Sequence, residues 1–323
     1  MGPTPRRALI AASLSTPLFS PALHAQDAFP SRPLRLVVAF GPGGAADLLG
    51  RIVAERLSIT LGQPVLVENR AGAGGNIGAQ AVLQADKDGH TILLHAQGLA
   101  ANRFLFTNLP YDPDRDLVPV SLIAEMPNLM VVSPGLAANS VAEFIAMARA
   151  RPGMTYGSIG NGTSMHIAGA LFAKAAGLDM QHVPYRDTSA VNTDVMTGRV
   201  DTVFQTFSAA SSLVQGGRMK ALAVTGDARV SAIDSVPTLR EAGVDLSTSG
   251  WWGLFVANGV APDRVKKLQD ETMAAVREPG VAQRIAAAGG IPRPMDSATF
   301  KAFIASETAR FRDVVGGTGM RAD

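Results

Sequence analysis

Residues 34–47 read LRLVVAFGPGGAAD and residues 65–78 read VLVENRAGAGGNIG. In each stretch an apolar run ends in a glycine-rich loop, and a helical pattern follows. Leu34 to Phe40 is apolar except for Arg35, the composition of a strand covered on both faces. GPGG at 41–44 breaks that strand. From Ala45 onward, Leu49, Ile52, Val53, Leu57 and Leu61 fall on one helical stripe, which Gly62 ends. Val65 to Val67 predicts a second strand. ENRAGAGG leads into a helix from about 76 to 85, and after the turn Asp88-Gly89 a third strand runs from Thr91 to Leu94. The alternation of strand and helix implies parallel strands joined by right-handed crossovers. Both glycine loops then sit at the carboxyl ends of strands, where open α/β sheets bind ligands. A glycine loop that opens a helix offers bare backbone N–H groups to an anion. GPGG alone would also serve as a tight strand-to-helix turn.

A second set of elements repeats this arrangement. Leu129 to Ser133 reads as a strand, and Ser140 with Glu143 forms a capping box for a helix reaching about Arg149. Arg151-Pro152-Gly153 turns the chain into another strand near Thr155. YGSIGNGTSMH at 156–166 is a loop of small polar residues ending at a helix start, with Thr163 or Ser164 as N-cap. Strand-like segments recur at 181–183, 200–205 and 220–224. Trp251 to Phe255 reads as a strand near a crossing between lobes, with its aromatics in the core. The expectation is two α/β lobes facing one another across a cleft, one made of residues 26–124 and 253–323, the other of 125–252.

The first 25 residues stand apart. Arg6 and Arg7 give a positive start, residues 8–23 are uncharged and mostly apolar, and Ala22-Leu23-His24-Ala25 approximates an A-x-A exit. This predicts a secretory signal peptide cleaved after Ala25, hence a periplasmic protein. Pro17, Pro21 and an apolar segment short of the roughly 20 residues of a spanning helix argue against a permanent anchor. Arg6-Arg7 also suits a twin-arginine signal, so both export routes stay open.

Charge and composition narrow the function classes. The chain has 29 Lys+Arg and 27 Asp+Glu, and the excess is Arg6 and Arg7 themselves, so the remainder is balanced and gives no sign of a nucleic-acid partner. No later apolar stretch reaches membrane-spanning length. With no cysteine, a disulfide framework, thiol catalysis, zinc–thiolate sites and a cysteine-linked lipid anchor are excluded together. Stability must come from the core, and a chain of this length buries about three quarters of its unfolded surface.

Catalytic signatures are weak. Gly41-x-Gly43-x-x-Ala46 after a strand, with Glu68 ending the next, fits the dinucleotide-binding fingerprint and keeps an exported Rossmann-type oxidoreductase as the alternative. Yet none of Tyr111, Tyr156 and Tyr185 is followed four residues later by Lys. Tyr156 stands where a nucleophile elbow at Ser158 needs glycine, and no Ser-x-x-Lys occurs. His90 and His95 are oddly spaced on a strand and point to opposite faces, against a metal site. Neither catalysis, a cofactor nor a metal is expected.

Five ordered segments carry a resemblance: FPSRPLRLVVAFGPGGAAD at 29–47, LGQPVLVENRAGAGGNIGA at 61–79, LPYDPDRDLVPVSLIA at 109–124, YGSIGNGTSMHIAG at 156–169 and SVPTLREAG at 235–243. In these the chain resembles the extracytoplasmic solute-binding receptors of tripartite tricarboxylate transporters, the Bug receptors. The resemblance implies a type 2 periplasmic-binding-protein fold, two α/β lobes joined by two crossing strands that close on a small carboxylate. It implies a monomeric receptor that works with the transporter's membrane permease subunits. The carboxylate would be held by backbone N–H groups, hydroxyls and ordered waters. From the first lobe the implied ligand-binding residues are Phe40, Gly43, Gly44, Gly72 and Gly74, with Asp47 organising a helix start or complementing its dipole. From the second they are Ser158, Gly160, Thr163, Ser164, Thr188 and Asp194, the last holding a water or a ligand donor. His166 reads as a packing or capping residue.

One segment departs from the pattern. VPYRDTSAVNTD at 183–194 places Asp187 where relatives commonly have glycine and Ala190 where they have proline. Asp187 would repel a second carboxylate, attract an amine, or cap a helix. Arg186 would clamp a second acid group. The ligand's identity is not written in these residues.

Overall fold

The computed structural model describes residues 1–2 and 29–318; the expected signal peptide and its cleavage site lie outside the described residues. The chain opens with β1 (Leu34–Val38), α1 (Ala45–Leu61), β2 (Val65–Asn69), α2 (Asn76–Leu83) and β3 (Thr91–Ala96). β1 lies between β2 and β3, parallel to both. α1 buries Leu49, Ile52, Val53, Leu57 and Leu61, and ends at Gly62, whose φ of 67° forms a left-handed cap. At Gly50 the helix comes so near the sheet that a Cβ would stand 3.0 Å from Val38. α3 (Gly98–Leu105) and the short α4 (Pro113–Asp116) follow.

β4 (Leu117–Val132) is the element the sequence pattern understated. Only its end, from Leu129, carries an uninterrupted apolar signal; Pro119 and Pro127 interrupt the rest. The ladder accommodates the first of these prolines through a register shift between Pro119 and Ser121. Residues 117–127 pair with β9 (Ser249–Ala257), and residues 128–132 pair with β7 (Thr202–Thr206) and β8 (Lys220–Val224). One strand thus runs through the sheets of both lobes. The expected lobe boundaries at 124/125 and 252/253 fall inside β4 and β9, whose pairing continues across them.

The second lobe comprises α5 (Val141–Ala150), β5 (Met154–Ser158), α6 (Ser164–Ala176), β6 (Met180–Pro184), α7 (Thr188–Met196), β7, α8 (Phe207–Gln215) and β8. β5 is parallel to β6 and β7. At α5, Ser140 accepts from the Glu143 N–H, while the Glu143 carboxylate takes the N–H of Asn139 rather than that of the cap itself. After β9 the chain returns to the first lobe as α9 (Pro262–Arg277), α10 (Pro279–Ala287), β10 (Ile291–Met295) and α11 (Ser297–Thr318). Among the described residues the strands form a ten-stranded sheet in the order β2-β1-β3-β9-β4-β7-β5-β6, with β8 and β10 also on β4. Apolar clusters cover both faces of each half, which is why the strands lack a polar face. No described helix is long and apolar enough to cross a membrane.

Candidate functional site

The site begins where β1 stops. Phe40 and Gly41 to Gly44 lead into α1, whose N-cap Gly44 is extended and uses no side-chain cap. Asp47, buried in the first turn, does the organising. Its Oδ2 accepts the Gly43 N–H at 3.1 Å, its Oδ1 accepts Asn69 Nδ2 at 3.1 Å, and Arg51 lies 3.0 Å away. Asn69 Nδ2 also donates to the Phe40 carbonyl at 3.0 Å, so one carboxylate ties the loop to the end of β2. Burial opposes ionisation of Asp47, but the Arg51 contact and the donors Gly43 and Asn69 outweigh it, holding its pKa below the ordinary value.

The second glycine loop turns through Gly72, Gly74 and Gly75, all with positive φ, before α2. Asn102 of α3 donates to the Gly74 carbonyl at 3.1 Å and to Asn76 Oδ1 at 2.8 Å, and the Tyr111 hydroxyl reaches the same Oδ1. Beneath Gly75 lies His95, fully buried and edge-on to Phe40; burial pushes its pKa down to about 4.

In the second lobe the loop after β5 is held by neutral groups. Ser158 Oγ, fully buried, contacts the Gly160 N–H and carbonyl at 3.0 Å each and His182 Nε2 at 2.7 Å. Thr163 caps α6, accepting from the His166 N–H and donating to the Gly160 carbonyl. His166 Nδ1 accepts the Gly162 N–H at 3.1 Å, and its ring stacks on His182 at 4.1 Å. Burial lowers both imidazoles, His166 to about 3 with the neighbouring His182 adding to the effect, and His182 to about 4. The Ser158–His182 contact has the spacing of a nucleophile and its base. With the hydroxyl sealed from solvent and so weak a base, it serves to fasten the loop.

The loops meet at a cleft holding a cavity of about 540 Å³ and, beside it, a smaller one of about 30 Å³. Phe40, Gly72, Gly74, Gly160 and Thr188 line the larger. Phe40, Gly44, Thr163, Ser164 and Thr188 line the smaller. The remaining four candidates stand back from both. Gly43 is exposed with its N–H given to Asp47, and Asp47 and Ser158 brace their loops from beneath. Asp194 accepts the Tyr185 hydroxyl at 2.7 Å and pairs with Arg199, so its carboxylate braces a cavity-lining tyrosine.

The glycines mark where the lobes touch. A Cβ on Gly74 would lie 2.7 Å from the backbone oxygen of Asn161 across the cleft, and one on Gly44 would lie 3.7 Å from Thr188 Oγ1. Asp187 both lines the cavity and caps α7, accepting the Ala190 N–H at 2.8 Å. Arg186 beside it has no partner among the described residues. Trp251 lies in the core as expected, but Trp252, though nearly buried, lines the smaller cavity, because alternate residues of β9 face opposite sides.

Tyr185 and Phe106 also line the cleft without having been marked as ligand residues in the sequence. Thr206 was missed too: it ends β7 with no glycine to flag a loop, yet it precedes α8, lines the smaller cavity, and has a buried hydroxyl without a partner. Counting the caps Gly75 and Thr206, the N-termini of α1, α2, α6, α7 and α8 all contribute to the walls. Glu68, the acid of the dinucleotide reading, pairs with Arg70 and Arg35 and lines neither cavity. No group of three or more metal-ligating side chains occurs among the described residues.

Residues 49–320 match the family model of the tripartite tricarboxylate transporter family receptor, TctC. The chain belongs to this receptor family. Over 320 residues, 96% of this receptor and 93% of its relative, it is 38% identical to a UPF0065 protein in the tcbD-tcbE intergenic region of Pseudomonas sp. strain P51. It is 32% identical to protein BugT of Bordetella pertussis over 299 residues, covering 91% and 92% of the two chains. A solved R. palustris protein with adipate superposes on the receptor with a TM-score of 0.87 at 32% identity, covering 91% of it and 99% of that protein. MatC from Rhodopseudomonas palustris with bound malate does so with a TM-score of 0.83 at 30% identity, covering 89% and 100%. The receptor thus has the two-lobed α/β fold of the periplasmic binding proteins.

Proposed function

We propose that this receptor, exported from the cytoplasm and cleaved after Ala25, captures a small carboxylate between its lobes as a monomer. It then delivers the ligand, chemically unchanged, to the membrane permease subunits of a tripartite tricarboxylate transporter. The observation that carries the reading is the convergence of five helix N-termini on one cleft, shared between its two adjoining cavities. Their free N–H groups and dipoles favour an anion. The R. palustris structures with adipate and malate support a carboxylate. The paired β4 and β9 give the lobes a hinge, and closure on ligand follows from contacts made by both lobes.

Calorimetry and thermal shift of the cleaved protein against adipate, malate and citrate test this. A bound acid at a hundred times its Kd stabilises by about 2.7 kcal/mol. Gly74→Val should weaken the binding by about a hundredfold or more, since a β-branched residue at positive φ is strained and its Cβ meets the facing lobe. Absence of binding to any small carboxylate, or wild-type affinity in a folded Gly74→Val protein, would overturn the assignment. Nucleotide absorbance in the purified protein would instead favour the dinucleotide reading.

A further inference from the structure

A separate cavity of about 400 Å³ opens on the first lobe between α3, the start of β4, β9 and α11, and shares no lining residue with the cleft. Its floor is apolar, made by Leu99, Leu117, Phe255 and Ile304. Its charged residues are Arg103, Lys301 and Arg312 against the single acid Asp114. Asp114 is already taken, by Arg103 Nη1 at 2.8 Å. Lys301 and Arg312 have no acid partner among the described residues, and Arg312 lies over the Phe104 ring at 5.9 Å.

Two details turn this from a basic surface into a site. Arg103 Nε and Nη2 are buried without a hydrogen-bond partner, and so is the hydroxyl of Thr308, itself more than nine-tenths buried in the same wall. Orphaned donors of this kind are uncommon in folded proteins, because they have given up water for nothing. Nε and Nη2 form the side-on edge of a guanidinium, two parallel N–H groups that match the two oxygens of a carboxylate. The third nitrogen, Nη1, is the one engaged by Asp114, so that edge is left uncommitted.

We propose that this cavity is a second binding site, for an amphipathic anion: a carboxylate held by Arg103 and Thr308, screened by Lys301 and Arg312, with an apolar body on the floor below. Its volume lies in the range of small-molecule sites. The cleft offers mainly backbone N–H groups, whereas this site offers a cationic fork over hydrocarbon.

The test uses cleaved protein carrying isotopic label on alanine methyls, with octanoate as probe. Ala305 and Ala309 line the new cavity, and Ala71 and Ala73 line the cleft, so the two sites report separately. Octanoate should produce saturable shifts at Ala305 and Ala309, while 1-octanol and inorganic phosphate, each lacking half the chemistry, should bind at least about tenfold more weakly. Arg103→Gln should weaken octanoate at Ala305 and Ala309 by about tenfold or more and leave the response at Ala71 and Ala73 unchanged. The double variant Lys301→Gln, Arg312→Gln, at exposed positions that do not disturb folding, should weaken it in the same sense. No saturable shift at Ala305 and Ala309, an equal response to 1-octanol, or wild-type affinity in both variants would overturn the proposal without touching the cleft assignment.

Discussion

The loops on the two sides of the cleft do the same job by opposite chemistry. Each carries a strand into a helix at the wall of the cleft. In the first lobe a buried carboxylate, Asp47, gathers the Gly43 N–H, Asn69 and Arg51. In the second, neutral groups do the gathering: the Ser158 hydroxyl, the Thr163 cap and the stacked rings of His166 and His182. A charged brace needs its proton kept off at low pH, and a neutral histidine brace needs protons kept off at much milder acidity. The histidine brace of the second-lobe loop should therefore lose its contribution at milder acidity than the Asp47 brace does.

Acid gives the largest expected effect. His166 and His182 stay neutral in the folded protein down to about 3 and about 4, whereas an unfolded chain takes up those protons below about pH 6.5. Their pKa values are lowered by folding, so the stability they carry is complete above that pH and is lost as pH falls toward 4. Each adds a loss of about 1.4 kcal/mol per pH unit within the window. His95 in the first lobe contributes with the same sign, while Asp47 holds its charge throughout it. Urea unfolding between pH 7 and acid should show stability declining, and His182→Gln should reduce that slope by about one proton. An unchanged slope breaks the contrast between the lobes.

Asp47→Ala comes next. It strips three groups of their acceptor and should lower stability by about 2–4 kcal/mol at neutral pH, read by urea unfolding. Ser158→Ala leaves the Gly160 N–H and His182 without their shared partner and should cost about 1–3 kcal/mol by the same measurement. If the serine proves the more costly, the neutral brace is the stronger of the two. Smallest of all is Gly43→Ala. Its φ of 79° strains any side chain, but no atom lies within 4 Å of the new Cβ, so about 1 kcal/mol of stability is lost and calorimetry should find ligand affinity nearly intact. Abolished binding would return Gly43 to the cavity wall.

The sequence made the first lobe legible almost residue by residue, because glycines bound its elements: α1 runs from Ala45 to Leu61 as the stripe and Gly62 imply. It also pointed to the loops that meet at the cleft, since Gly44, Gly72, Gly74 and Gly160 announce themselves by type. Three things escaped it. The first three quarters of β4 were hidden by Pro119 and Pro127, the former accommodated by a register shift. Thr206 and Tyr185 reach the cleft from ordinary strand ends, and only the meeting of two lobes brings them there. Asp194 and Ser158 have the right chemistry for a ligand, but whether such a group faces the cavity or braces a neighbour is settled by burial, on which the pattern of residue types is silent.

β9 occupies the place between β3 and β4 in the sheet order, yet the ribosome makes it only after the whole second lobe. Until Ala257 has been synthesised, the first lobe lacks its central strand, and β3 has no partner on that side. The second lobe, by contrast, is one unbroken stretch apart from the two strands it shares. A chain still being made therefore carries an open β edge from Ala96 until Ala257, about half of its length, the state in which strands are prone to mispair. Insertion of β9 between β3 and β4 closes that edge, so the order of strands in the sheet makes completion of the first lobe wait on chain that lies beyond the second.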